Sequence, residues 1–132
     1  MNKNGFTLVE LLAAIAILTI LTGVAIGAYS QYKASAIRKG IDTLMSSSLS
    51  ASENYFLDHV SENQVTLQVL EEQGYLENRQ DPNQTNKKCT GTINKTTTIS
   101  NQTGKLNADN YQVSITCLSG TYCKKYPGGI NC

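Results

Sequence analysis

Residues 5–28 read GFTLVELLAAIAILTILTGVAIGA, and Glu10 is the only charged residue among them. The part that follows it, residues 11–28, carries no charge at all. A helix needs about 20 apolar residues to cross a bilayer core of about 30 Å. Residues 6–30 are therefore predicted to form one apolar helix that can span a membrane.

The rest of the chain has a different composition. The 132 residues carry 11 Lys and Arg against 10 Asp and Glu, a net charge of +1, and 40% of them are hydrophobic. This length fits one domain with room for at most a small second module. The balanced charge provides no basic field for a nucleic acid. Because the apolar residues concentrate before residue 33 and the remainder is rich in Thr, Asn and Ser, the composition argues against an ordinary soluble enzyme.

A secretory signal peptide is an alternative interpretation of the N-terminus. Its basic region would be Lys3 alone, and the apolar run exceeds the usual core of about 7–15 residues. An acidic residue near the start of the run also fits poorly. Basic residues occur on both sides of the run, with Lys3 before it and Lys33 after it, so counting positive charges does not decide the orientation.

Glu10 is the most informative residue of the apolar stretch. A carboxylate at membrane depth costs about 2.5–3.5 kcal/mol on insertion scales, so it should have a partner or a purpose. A cut between Gly5 and Phe6 would create a free amine on Phe6, and that ammonium on a neighbouring copy could neutralise Glu10. The alternative is that Glu10 lies at headgroup level and favours the helix N-terminus electrostatically.

The motif GFTLVE at residues 5–10, with the apolar run after it, resembles the prepilin signature of type IV pilins and type II secretion pseudopilins. The resemblance implies that a membrane prepilin peptidase removes residues 1–5 by cutting between Gly5 and Phe6 on the cytoplasmic face. The same enzyme is expected to N-methylate Phe6. In that family Glu10 pairs with the N-terminal amine of an adjacent subunit during filament assembly.

The resemblance also implies partners and a location. The partners would be other copies of the chain and other pilins in a helical filament, the prepilin peptidase, and the pilus assembly platform with its ATPase. The chain would begin as a single-pass prepilin in the cytoplasmic membrane and end in a cell-surface pilus. Adhesion, motility and DNA uptake are the candidate tasks of such a filament.

The helix is predicted to continue beyond the apolar run, with residues 31–60 as its amphipathic part. No proline interrupts residues 6–60, which at about 1.5 Å per residue would give a helix of about 80 Å. Gly23 and Gly27 are interpreted as tight packing sites or as a place where the helix stretches in a filament. The Ser-rich residues 46–52 are interpreted as a close-packing face of small side chains.

A globular head is predicted for residues 61–132. Residues 61–64 offer capping side chains for a short helix over residues 65–73, and Gly74 is its expected stop in the left-handed conformation. Asp81 and Pro82 are expected to form a turn that leads into the sheet.

Four cysteines in a polar segment outside a membrane indicate two disulfides, for which three connectivities exist. Alternating residues predict two strands, and a hairpin turning near Thr103 and Gly104 would place Ile93 opposite Val113. The same register favours Cys89–Cys117, with a small register shift or an intervening strand left open.

The remaining pair, Cys123–Cys132, would close a short C-terminal loop over residues 126–129. A zinc site is the alternative use of these cysteines. The wide spacing of the last three cysteines and the lack of a nearby His argue against it.

The other polar residues predict little chemistry. His59 is expected to be solvated or to cap the long helix, and the acids Glu71, Glu72 and Glu77 to form a solvated face. No catalytic group, metal site or cofactor is expected. After Pro82 the only acid is Asp109, which does not support the acidic calcium loop common in type II pseudopilins. The lysine pairs at 87–88 and 124–125 are interpreted as solvated, so contact with DNA or a host surface lacks support.

Together these features predict an α+β protein: a long N-terminal helix, half membrane or filament core, packed on a small antiparallel sheet with two disulfides. The favoured function is that of a structural type IV pilin, and not of an enzyme. The alternatives are a type II secretion pseudopilin and a single-span membrane-anchored binding protein that never polymerises.

Overall fold

The computed structural model describes residues 4–97 and 109–132. The helices and strands follow in the order α1 (Leu8–Asp58), β1 (Gln64–Thr66), α2 (Leu67–Glu72), β2 (Thr90–Thr96), β3 (Asn110–Cys117), β4 (Gly120–Tyr126) and β5 (Ile130–Asn131). The chain divides into two compact units, Met1–Ala36 and Ile37–Cys132, and α1 contributes to both. The predicted hairpin turn at Thr103 and Gly104 lies outside the described residues.

Helix α1 confirms the long helix predicted for residues 6–60, although it begins at Leu8 and ends at Asp58. Every residue of its first part is exposed, and burial begins in the second unit. The side chains that it buries there recur at helical spacing and are Ile41, Leu44, Met45, Ser48, Ala51, Ser52, Tyr55 and Phe56. An apolar stripe of this kind is the usual reason for a helix to pack against a sheet.

The core of the head lies between this stripe and the inner face of the sheet. Phe56 and Met45 from α1 meet a cluster that includes Ile93, Val113 and Ile115 from the strands. The Ser-rich stretch behaves as predicted, because Ser48 and Ser52 are fully buried. Their hydroxyls donate to the carbonyl oxygens of Leu44 and Leu49 at 2.6 and 2.7 Å, so the small side chains pack without leaving a polar group unsatisfied.

The sheet has five antiparallel strands in the order β1-β2-β3-β4-β5. Ile93 lies opposite Val113, as the alternating pattern predicted. One residue pair beyond the β2–β3 ladder, the buried Cys89 and Cys117 form a disulfide with a Cα–Cα distance of 4.5 Å. The predicted register and the predicted pairing are both confirmed.

The predicted short helix at residues 65–73 is wrong at its start. Val65 is buried and pairs with Ile93, so residues 64–66 form strand β1. The helix begins only at Leu67, after its N-cap Thr66 accepts a 3.3 Å hydrogen bond from the Val69 amide. A β-branched residue that can bury itself beside a strand favours the extended state over a first helical turn. Gly74 has φ +81°, as expected for the stop of this helix.

The C-terminal disulfide is confirmed, but the loop that it was expected to close is a hairpin. Cys123 and Cys132 are bonded with a Cα–Cα distance of 5.4 Å. Strand β4 pairs with β3 along its whole length, and β5 pairs with β4 at residues 124–125. The terminal residues are thus held by backbone hydrogen bonds as well as by the covalent bond.

The segment between α2 and β2 is tied down by charged side chains. Glu71 forms ion pairs with Arg79 and with Lys88, the latter at 2.6 Å, and is largely covered. The prediction of a solvated Glu71 is therefore wrong. The chain after α2 folds back so that the side chains of Arg79 and Lys88 lie against the Glu71 carboxylate. The hydrogen bond from Lys88, followed by the one from Arg79, lowers the pKa of Glu71.

Asp81 forms a second tie in this segment. It is 1% exposed, and its carboxylate accepts hydrogen bonds from the backbone amides of Asn83 at 2.8 Å and of Leu118 at 2.7 Å. The neighbouring Pro82 packs so closely on Gly40 of α1 that a Cβ at Gly40 would lie 2.6 Å from the proline ring. The expected turn at residues 81–82 is thus fastened to both the helix and the sheet.

Candidate assembly site

The helix α1 begins with a pair of reciprocal hydrogen bonds between Thr7 and Glu10. The backbone amide of Thr7 donates to Oε2 of Glu10 at 2.9 Å, and the amide of Glu10 donates to the Thr7 hydroxyl at 3.3 Å. The carbonyl of Thr7 accepts the first helical bond, from Leu11 at 3.2 Å. This arrangement is a capping box, which satisfies amides that would otherwise lack partners at a helix start.

The cap fixes where the Glu10 carboxylate lies. The side chain folds back toward the residues before the helix instead of extending along the apolar surface. A carboxylate at this position also interacts favourably with the positive end of the helix dipole. Of the two interpretations of Glu10, the structure shows the contact with its own helix start, and the pairing with another subunit stays a prediction.

The peptide that would be cut lies just before this cap. Residues 4–7 precede helix α1, and Phe6 is 93% exposed. A Cβ placed on Gly5 would meet no atom within 4 Å. The Gly5–Phe6 bond therefore lies outside the helix and is accessible to another protein.

The apolar segment after Glu10 has no cover from its own chain. The large side chains that are at least half exposed include Leu8, Val9, Leu11, Leu12, Ile17, Leu18, Ile20, Leu21, Val24 and Ile26. Within the described residues, α1 is the helix whose length and composition would allow it to cross a membrane. Such a surface is unfavourable in water, by about 25 cal/mol per Å² of apolar area, and calls for lipid or other apolar chains.

Polar side chains in this segment are satisfied locally. The hydroxyls of Thr19, Thr22 and Ser30 donate to backbone carbonyls one turn earlier, at 2.7, 2.6 and 2.9 Å. This removes the cost of unpaired hydroxyls in an apolar medium. A Cβ at Gly23 or Gly27 would meet nothing within 4 Å, so the tight packing predicted for these glycines would need another chain and stays a prediction.

The aromatic and acidic side chains at the C-terminal end of α1 contact each other through hydrogen bonds and ring stacking. The Tyr55 hydroxyl donates to Glu62 at 2.5 Å, and the hydrogen bond raises the pKa of Tyr55. His59 stacks on Tyr55 with 4.2 Å between ring centroids, and its Nδ1 lies 3.1 Å from the Tyr55 carbonyl oxygen. His59 thus packs at the helix end, which agrees with a capping role.

One cluster of side chains in the head contains residue types that can bind a metal ion. In the described part of the chain, the one group of three metal-ligating side chains is Asp81, Cys89 and Cys117, whose ligand atoms lie within 4.8 Å of one another. Both sulfurs are committed to the disulfide, and both carboxylate oxygens accept backbone hydrogen bonds. This group is a structural element of the head.

Sequence reasoning did not identify the role of Thr7. The Thr-x-x-Glu spacing before an apolar run is a known helix-start signal and could have predicted the capping box. It also did not identify the ion pair between Lys124 and Asp42, at 2.5 Å, which joins β4 to α1. The prediction of a solvated Lys124 is therefore wrong, because its side chain is ion-paired and only 25% exposed. The hydrogen bond to Asp42 raises the pKa of Lys124.

Comparison with protein families adds one finding. Residues 1–26 match the family model of the prokaryotic N-terminal methylation motif. Comparisons with curated proteins and with solved structures gave no match. The match supports a prepilin of the type IV pilin or pseudopilin type. A pilin-like or pseudopilin function, structural and without enzymatic activity, is what this class implies, and the apolar helix fits a membrane-anchored prepilin.

Proposed function

We propose that this chain is a structural subunit of a type IV pilus. In this proposal residues 1–5 are removed between Gly5 and Phe6, Phe6 is N-methylated, and residues 6–30 first span the cytoplasmic membrane. The single observation that carries the proposal is the methylation motif at residues 1–26 on a helix whose apolar surface is exposed all round. That surface has a use only if lipid, and later other subunits, cover it.

The capping box supports a specific role for Glu10. Its carboxylate already lies at the start of the helix, where the new amine of Phe6 would appear. Removal of Lys3 with the leader would leave the side chains of the mature chain with no net charge, because the full chain carries +1. A Glu10 carboxylate and a Phe6 ammonium from adjacent copies would then be the charged groups within an otherwise apolar bundle. Such a pair costs little only when both partners are present, so it would select one axial register.

The head favours a pilus subunit over a type II secretion pseudopilin. Pseudopilins often hold calcium in an acidic C-terminal loop, and the only acid after Pro82 is Asp109. Its carboxylate accepts a 3.0 Å hydrogen bond from Thr97 and pairs with Lys95 at 3.2 Å, and these contacts lower its pKa. In this head two disulfides provide the covalent bracing instead.

The test is a comparison of Glu10→Gln with Glu53→Gln in the producing cell. Glu53 is an exposed acid on the same helix, and its carboxylate forms no hydrogen bond or ion pair among the described residues, so it is a matched control for loss of one charge. We expect Glu10→Gln to abolish sheared surface filaments while the protein remains in the membrane. The Glu53 variant should assemble normally.

The mature N-terminus provides an independent measurement. Mass spectrometry of sheared material should find a chain that begins at N-methylated Phe6. An intact Met1 in surface material would overturn the proposal, as would a cut within the apolar run. Unchanged function of Glu10→Gln with membrane localisation alone would favour a membrane-anchored binding protein, and filaments confined to the cell envelope would favour a pseudopilin.

A further inference from the structure

A groove runs along one side of α1 in the head, between the helix and the segment that follows α2. It consists of two adjoining cavities of about 480 and 300 Å³, which share Ser47 and Asn78 in their linings. The helix contributes small or short side chains to its floor, from Gly40 through Ser47 and Ala51 to Asn54. Small side chains along a helix allow another helix to approach closely.

The charges around this groove have one sign. Glu77 lines it, is exposed, and has no ion pair or hydrogen bond to its carboxylate within residues 4–97 and 109–132. Tyr75, also in the lining, donates its hydroxyl to Asp58. No Lys or Arg is present in the lining of either cavity. The groove therefore presents one carboxylate, that of Glu77, that is available to a cation.

A matching cation lies on the outward side of α1. Lys39 is exposed and forms no salt bridge in the part of the chain that the structure describes. Ser35, one turn before it, is exposed and small. This short stretch of helix is therefore basic and narrow, while the groove is acidic and lined by small residues.

We infer that the groove binds α1 of a second copy of this chain around Lys39, with the lysine ammonium against Glu77. The inference rests on the proposed function, since a filament brings many copies of α1 side by side. The complementary charges of Glu77 and Lys39 favour a second copy as the occupant, and the small side chains on both surfaces allow the contact.

The axial positions of Lys39 and Glu77 indicate which neighbouring copy supplies the helix in the groove. Glu77 shares a cavity with Ala51 and Asn54, which follow Lys39 by about three to four helical turns, or about 18–22 Å along the axis. Pairing of Glu10 with Phe6 of an adjacent copy needs a shift of only about 6 Å. The helix in the groove therefore belongs to a copy further along the filament than the one that neutralises Glu10.

A charge swap tests this contact in the full chain. Glu77→Lys and Lys39→Glu are each expected to lower the yield of sheared filaments about fivefold or more, because each replaces an attraction by a repulsion at every repeat. The double variant restores opposite charges between copies, and its yield should return to within about twofold of the wild type. Glu72→Lys and Lys87→Glu, exposed charges outside the groove, are the matched controls and should assemble normally.

The readouts separate this inference from the proposed function. Membrane level, disulfide formation and the position of the mature N-terminus should be unchanged in all four single variants. Silent single reversals, or a double variant no better than the weaker single one, would overturn the groove contact. If Glu10→Gln abolishes filaments in the same experiment while the swaps are silent, only the groove contact fails. If the wild type forms no filaments, the proposed function fails and the groove contact with it.

Discussion

The same kinds of side chain behave in opposite ways in the two units of the molecule. Ile17 in the first unit is 59% exposed and Ile20 is 69% exposed, whereas Ile41 and Ile115 in the second are 2% and 0% exposed. The head completes its own core from α1, α2 and the inner face of the sheet. The first unit has apolar surface that no described part of the chain covers. The head is therefore stable as a single chain. The first unit can bury its apolar side chains only against lipid or other chains.

Truncation of one large side chain in each unit should give very different losses of stability. Phe56→Ala should lower the free energy of unfolding of the head by about 3–5 kcal/mol, because Phe56 is 2% exposed and its loss leaves a cavity. Ile17→Ala, in the exposed segment, should leave that free energy unchanged. Denaturant unfolding of the full chain in detergent, followed by the tyrosine signal of the head, measures both. Equal destabilisation by the two changes would contradict the division into a self-sufficient head and a dependent segment.

The two disulfides should differ in a smaller way. In the loop-entropy description, replacing both Cys89 and Cys117 by Ser costs about 3–4 kcal/mol, because the bridge spans a sequence separation of 28. The corresponding change at Cys123 and Cys132, with a separation of 9, should cost about 2–3 kcal/mol. The same unfolding measurement compares them. A larger loss from the terminal bridge would mean that the hairpin β4–β5 supports the core more than its exposure indicates.

Local patterns predicted much of this fold. The uninterrupted apolar run and the GFTLVE motif predicted the long helix, and strict alternation around Ile93 and Val113 predicted their register and the nearby disulfide. These features depend on neighbours within a few residues or on one hairpin. For the same reason, the Thr-x-x-Glu spacing at the helix start was available to sequence reasoning.

Other features depend on contacts between distant segments and carry no local signal. The buried Asp81 is stabilised by the amide of Leu118, 37 residues later, and nothing in the Asp-Pro dipeptide specifies that partner. Glu71 is ion-paired because the side chains of Arg79 and Lys88, which come later in the chain, lie against its carboxylate. Residues 64–66 form strand β1 because Val65 pairs with Ile93 of β2. In each of these cases the tertiary partner overrides the local preference.

Removal of the helix cap in each unit should affect the stability of the head differently. Thr66→Ala removes the acceptor for the Val69 amide and should lower the free energy of unfolding of the head by about 1 kcal/mol. Thr7→Val removes the acceptor for the Glu10 amide and should leave the head unaffected. Its effect should be faster hydrogen exchange at Glu10, which Thr7→Ser should reverse. Loss of head stability in Thr7→Val would show that the helix start and the head unfold together.

The smallest expected effect is on the pH dependence of the head. The hydrogen bonds from Lys88 and Arg79 hold the pKa of Glu71 below its usual range, so the stability that they provide is present above the ordinary pKa of a glutamate and is lost as the pH falls below it. Glu71→Gln should therefore flatten the decline in stability between about pH 5 and about pH 3. Glu72→Gln, an exposed neighbour, is the control. A decline of the same steepness in Glu71→Gln would exclude this carboxylate as its source.

The unequal burial of the two disulfides has a practical consequence for labelling. Cys89 and Cys117 lie inside the core, and the Asp81 segment is fastened close beside them, whereas Cys132 is exposed at the end of the hairpin β4–β5. A mild phosphine reductant should open Cys123–Cys132 first and leave the inner bridge intact. Two thiols would then be available on each folded head, and a maleimide dye could label the purified protein without any change to its sequence.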